Sequence, residues 1–145
     1  MTLNDDCLNH VQWLICETQG NIFEYIADNG YDMQIFVEKY MQSDFTARNM
    51  DTRYSRYQLH DPEESLDFVF KEIGEIPKAD GYFIGSIAYW MGYIYRALYI
   101  VTGISSKELV HKLPFSQMIK MYPGYHTMDE IMQLERMIEW LQSNT

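Results

Sequence analysis

The sequence predicts an all-α fold, a single domain over residues 1–145 with about seven or eight helices around a long central helix near residues 81–102. Three observations predict it. Apolar residues recur at helical spacing in segment after segment. No two-residue alternation, Gly/Pro/Ser-rich linker, internal repeat or low-complexity tract interrupts them. A chain of 145 residues that is 47% hydrophobic and 15% aromatic also has enough apolar material for one core.

Leu8, Val11, Leu14 and Ile15 form the first stripe, and Gly20 is expected to end that helix. Cys7 and Cys16 lie in the same segment, nine residues apart, where steps of about 100° put them on opposite faces and prevent their pairing. No charged-then-apolar secretory segment is seen at the start, so a reduced, cytoplasmic protein is the expectation. Ile22, Tyr25 and Ile26 suggest a short second helix stopped at Asn29-Gly30. Asp32 then caps a helix with Met33, Phe36, Val37, Tyr40 and Met41 on one face, a full i, i+3, i+4, i+7, i+8 match. Ser43 caps a short turn carrying Phe45, Ala47 and Met50, and the polar run from Asp51 to His60 is expected to be an ordered connection.

Asp61-Pro62 is a cap followed by proline at the first helical position, with Leu66, Val69, Phe70 and Ile73 inward and Glu63, Glu64, Asp67 and Glu72 outward. Asp80 is expected to cap the central helix, whose stripe runs through Ile84, Ile87, Ala88, Met91, Tyr95, Leu98 and Val101 to Gly103. Gly85 and Gly92 fall on nearly one face, which allows a neighbouring helix to approach closely or is simply tolerated. The apolar run from Gly81 to Tyr95, closed by Arg96, is too short for a bilayer span. Two capping boxes, Ser105 with Glu108 and Thr127 with Glu130, start later helices. Between them lie a helix ending near Pro114 and another around 115–121, and the last helix turns Ile131, Leu134, Ile138 and Leu141 inward.

No catalytic, cofactor or metal site is expected. The four histidines, His10, His60, His111 and His126, have no partner at a zinc spacing, and no phosphate loop, dinucleotide fingerprint or nucleophile elbow occurs. Glu63-Glu64 and Asp129-Glu130 are explained by the helix macrodipole, and Ser105-Ser106-Lys107 by capping.

With 11 Lys and Arg against 21 Asp and Glu, the formal charge of -10 opposes binding to nucleic acid or to an anionic membrane and favours encounter with a basic protein. No basic helix-turn-helix is visible. Against this background Arg48, Arg53 and Arg56, with Tyr54 and Tyr57, form a basic and aromatic island. It can receive an anion, but pairing with Asp61, Glu63, Glu64 and Asp67 is the more common use of such charges. Twelve Tyr, ten Met and three Trp exceed what the stripes consume, and these types favour interfaces. Tyr89, Trp90 and Tyr93 therefore face either the core or a partner.

The segments Met41-Gln42-Ser43-Asp44-Phe45-Thr46-Ala47-Arg48 with Asp51, Tyr89-Trp90-Met91-Gly92-Tyr93-Ile94-Tyr95-Arg96, Thr102-Gly103-Ile104-Ser105-Ser106-Lys107 and Tyr125-His126-Thr127-Met128 occur in order. Together they resemble a family of small, poorly characterised bacterial antitoxin-like proteins encoded beside toxin-like genes, some of them ADP-ribosyltransferase-like. The resemblance covers roughly residues 35–140 and leaves the N-terminal 30 residues unmatched. It implies a cytoplasmic helical protein that neutralises a toxin by direct contact. The partner-binding candidates are Glu63, Glu64, Asp67, Tyr89, Trp90 and Tyr93, set against a basic protein, with self-association compatible. The competing expectation is a small enzyme or anion-binding protein using Arg48, Arg53 and Arg56, with His60 and His126 added in the enzyme case.

Overall fold

Gly20 lies inside the first helix rather than at its end. In the computed structural model, which describes residues 2–144, α1 runs unbroken over His10–Asp28. A mid-helix glycine costs about 1 kcal/mol relative to alanine. The packing explains why it is kept, because a Cβ on Gly20 would fall 2.9 Å from the Tyr89 ring. α4, Gly85–Thr102, answers with Gly92, where a Cβ would lie 2.5 Å from the Gln19 carbonyl oxygen and 2.8 Å from Phe23 Cγ. The two long helices thus cross with their backbones nearly touching. Gly92 is a spacer for this approach, as one of the two sequence readings had it, whereas Gly85 faces only the side chains of Asp28 and Glu24.

Continuity of α1 also rotates its buried face. Ile15, Cys16, Gln19, Ile22, Phe23 and Ile26 point inward, whereas Val11 is exposed and Leu14 half-buried. Cys7 precedes the helix, and both cysteines are free thiols.

α2, Met33–Met41, keeps its expected cap and face: Asp32 Oδ1 accepts from the Ile35 amide at 3.0 Å, and all five stripe residues are buried. Ser43 Oγ likewise accepts from the Thr46 amide at 3.1 Å, starting a π-helical turn over Thr46–Met50. Ala47 faces solvent there instead of the core. A 3-10 turn, Arg56–Leu59, opens with a capping box between Ser55 and Gln58 inside the polar connection.

α3, Pro62–Ile73, has Pro62 at its first position, although the Asp61 side chain makes no cap bond. Glu72 does not simply face solvent. Its carboxylate accepts from the amides of Asp44 and Phe45 at 2.6 and 2.9 Å and so caps a neighbouring segment from outside.

α4 begins at Gly85 with Ile84 before it, not at residue 81, and Asp80 does not cap it. Pro77, Lys78 and Ala79 are instead pinned to the α1–α2 turn. The Asp32 amide donates to the Pro77 carbonyl, the Ala79 amide to that of Gly30, and Lys78 Nζ to that of Asn29 while it covers the Tyr31 ring.

α5, Ser106–Lys112, is capped by Ser105 Oγ, but Glu108 pairs with Lys112 at 3.0 Å and does not close the box. α6, Phe115–Tyr125, continues past Met121 through Pro123. α7, Glu130–Ser143, is capped by Asp129 and not by Thr127. Leu134, Met137, Ile138 and Leu141 then bury its apolar face. α4 packs on α1, α5, α6 and α7 and is the central helix of this all-α domain. Among the described residues, no helix is long and apolar enough to cross a membrane.

Candidate functional site

An arginine in the middle of an apolar helix must find partners, because a buried unpaired charge is very costly. Arg96 is fully buried, and three segments supply what it needs. Its Nη1 reaches Asp51 Oδ1 at 2.6 Å, Nε and Nη2 reach Gln19 Oε1 at 3.0 and 2.7 Å, and Nη2 reaches Ser106 Oγ at 2.9 Å. Ser106 donates its hydroxyl to Asp51 Oδ1 and its amide to Oδ2. Tyr40 Oη donates to Gln19 Oε1, and Gln19 Nε2 donates to the Gly92 carbonyl, which ties α1, α2, α4 and α5 to one guanidinium. Burial pushes the Tyr40 phenol up to about 12, with the Arg96 charge acting against it. Asp51, Arg96 and Ser106 come from three separate segments of the chain, and the fold brings them together. This hub is structural, since every polar atom in it is turned to another.

Above the hub lies a cleft of about 590 Å3 between the first turns of α1 and the 3-10 segment. Arg53, Tyr54, Arg56 and Leu59 line it from one side, and Val11 and Ile15 from the other. A second hollow of about 230 Å3 shares Gln12, Ile15, Arg53 and Gln58 with it and extends to Tyr99, Ile100 and Gly103. The expected pairing of the arginine island with Asp61, Glu63, Glu64 and Asp67 does not occur. Arg53 lies over the Tyr54 ring, Arg56 donates to Tyr57 Oη at 2.9 Å, and Arg48 is exposed outside the cleft. The local backbone is the reason: Arg53 and Arg56 are held against the rings next to them in sequence, and although the charge of Glu64 acts on Arg56, its carboxylate turns to His60.

A different surface gathers the aromatic residues of α4. Tyr93 stacks on Trp13 and tilts against Tyr89, with 5.8 Å between ring centroids in each case, and its hydroxyl lies 3.4 Å from both oxygens of Glu130. Burial, with Glu17, Glu24 and Glu130 adding to it, pushes the Tyr89 phenol up to about 12. Burial followed by the charges of Asp129 and Glu17 raises the Glu130 carboxyl above its usual range, although the Tyr93 hydroxyl acts in the other direction. The side chains that charge this face are carboxylates.

Trp90 is not part of that face. It is only 8% exposed, its indole N–H donates to Gln133 Oε1 at 2.8 Å, and its ring meets Tyr122 edge-on. A step of about 100° along the helix turns Trp90 away from Tyr89, toward Tyr122 of α6 and Gln133 of α7. Glu63, Glu64 and Asp67 are exposed on α3, which packs on α1 and α2, and Glu64 Oε2 lies 2.6 Å from His60 Nδ1.

Nor do Arg48, Arg53, His60 and His126 converge on one point. His60 turns to Glu64 and His126 stacks on Tyr122 at 4.0 Å, next to its own helix end. No group of three or more His, Cys, Asp or Glu able to hold a metal ion is found among the described residues. Burial pushes the Cys16 thiol up to about 12, which leaves it a packed, protonated side chain. No protein-family model, curated protein or solved structure matches the chain.

Sequence reasoning missed the Asp51–Arg96–Ser106–Gln19 cluster. The available signal was Arg96 itself, a charge flanked by Tyr95 and Ala97 in a helix apolar on all sides, which required a buried acid from elsewhere.

Proposed function

We propose that the protein is a non-catalytic binding module, antitoxin-like in action, that neutralises a basic protein partner by covering it with the face formed by α1, α4 and the start of α7. One observation carries this reading: Tyr89 and Tyr93 stand among Glu17, Glu24 and Glu130, and the Glu130 carboxyl is raised by desolvation and by like charge. Such a face is electrostatically unfavourable on its own and is relieved by incoming cations. Half-buried tyrosines held by stacking also supply contact area at low entropic cost. The charge of -10 speeds encounter with a basic protein. The α3 acids are weaker candidates, since Glu64 already faces His60 and Lys71 sits over the Phe68 ring.

The test is co-purification of the tagged protein with the product of its adjacent gene, joined to a growth assay on co-expression. The wild type should bind stoichiometrically and suppress toxicity. Glu17→Lys with Glu24→Lys should abolish both, while Glu63→Gln with Asp67→Asn should leave both intact. Loss of rescue in the α3 variant and not in the α1 variant would move the interface to α3. A harmless neighbour that does not co-purify would end the antitoxin reading.

A further inference from the structure

We propose that the cleft between α1 and the 3-10 segment is a second docking site, which takes an extended acidic polypeptide segment carrying apolar side chains. Three of the large hydrophobic side chains that remain exposed, Val11 (48%), Tyr54 (78%) and Leu59 (54%), line this one cleft. Gathered exposed apolar surface of this kind marks an interaction site, whereas single exposed residues do not.

The polar lining specifies the sign of the occupant. Asn9 Oδ1 accepts from the Gln12 amide, Gln12 Oε1 from the Asn9 amide, Ser55 Oγ from the Tyr57 amide, and Gln58 Oε1 from the Ser55 amide. These four side-chain oxygens are thus committed to backbone N–H groups. The charged groups that remain are the guanidiniums of Arg53 and Arg56, neither of which forms an ion pair among the described residues although the chain carries 21 acids. The cleft therefore offers donors and positive charge beside apolar surface. Its complement is a carboxylate next to an aliphatic or aromatic group.

The shape of the cleft favours a chain over a small anion. The main hollow and its neighbour share Gln12, Ile15, Arg53 and Gln58 and together run from Asn9 and Leu59 to Ile100 and Gly103. A small anion needs only the guanidiniums, whereas a peptide also uses the apolar walls along the groove. The floor is rigid, because Arg96 and Asp51 lock α4 to the segment that carries Arg53. Little ordering of the protein is then needed on binding.

The experiment uses the intact protein and a fluorescein-labelled synthetic peptide alternating Asp with Leu, read by anisotropy. Saturable binding is expected, weakening with salt and by about tenfold in Arg53→Gln/Arg56→Gln, whose guanidiniums make two charge-assisted contacts. Leu59→Ser, on an exposed wall, should weaken it as well, and a Lys-Leu peptide should not bind. Glu130→Gln should leave the affinity unchanged, so failure here and failure of the acidic face are told apart. Absence of binding, or binding indifferent to the arginine pair in variants with unchanged melting, would overturn the proposal. Displacement by inorganic phosphate at equal concentration would also overturn it, in favour of a small-anion site.

Discussion

Nη1 of Arg96 lies 2.6 Å from Oδ1 of Asp51, and the pair is sealed in the interior, with Arg96 fully buried and the Asp51 side chain 9% exposed. A buried pair gains little net stability over well-packed apolar residues, but removing one member leaves the other charge stranded. The pair therefore acts as a specificity device, drawing the 51–59 connection and the start of α5 onto α4.

Arg96→Met is expected to destabilise the protein by about 3–5 kcal/mol, because Asp51 loses its counter-charge and Gln19 and Ser106 lose a donor. Arg96→Met combined with Asp51→Asn should cost less than the sum of the two single changes. Urea denaturation of the four proteins in the cycle measures this. Additive effects would show that the two side chains are not coupled.

Gly92→Ala should cost about 1–3 kcal/mol despite the better helix propensity of alanine, since the new methyl meets the Gln19 carbonyl oxygen, a backbone atom that cannot step aside. At Gly85 the nearest atoms are side-chain atoms of Asp28 and Glu24, which can move, so Gly85→Ala should shift stability by no more than about 0.5 kcal/mol. Thermal melting of the two variants tests this, and equal melting of Gly92→Ala and Gly85→Ala would count against a backbone contact at Gly92.

Ser65 is fully buried on α3, and its hydroxyl has no hydrogen-bond partner. Ser65→Ala removes an unsatisfied group without creating a large cavity. It should stabilise the protein by about 1 kcal/mol, read as a higher urea midpoint at unchanged slope. A loss of stability would mean that the hydroxyl has a partner in solution.

Glu130 has a carboxyl raised above its usual value of 4.5, so the folded state holds its proton more tightly than the unfolded chain does. The sign follows from linkage: the stabilising contribution is complete below the unfolded value and is lost as pH rises through the folded one. Glu130→Gln should therefore melt higher than the wild type at neutral pH, and the difference should vanish as pH falls below the carboxylate range. Melting curves from neutral to acidic pH test this, and a variant that is less stable at neutral pH would show that the Tyr93 contact outweighs the repulsion.

Much of the fold was legible because helical period and capping are local properties. The α2 stripe from Met33 to Met41, the Asp32 and Ser43 caps, Pro62 at the start of α3 and the inward face of α7 all depend on residues within a few positions of one another. Errors arose where a distant partner overruled a local signal. Gly20 is a helix stop by propensity and an interior residue by packing, because Tyr89 occupies the space a side chain would need. Asp80 is a good cap by type, yet the residues just before it, Pro77 to Ala79, are held by the α1–α2 turn and α4 starts only at Gly85.

The site divides the same way. That Tyr82, Tyr89, Trp90, Tyr93 and Tyr99 cannot all share one direction was evident from their spacing, but only the positions of α6 and α7 decided that Trp90 goes inward. The arginine island was legible as composition. That Arg53 and Arg56 form no ion pair and stand with Val11 and Leu59 in a cleft depends on the first turns of α1 lying against the 3-10 segment. By itself the sequence determined the all-α class, the inward faces of α2 and α7 and the sign of the charge, since each follows from neighbours along the chain. The tertiary structure alone decided which helix crosses which, that Asp51 answers Arg96 across 45 residues, and which aromatics are left at the surface. Those outcomes depend on close packing between segments whose separation along the chain carries no local trace of their meeting.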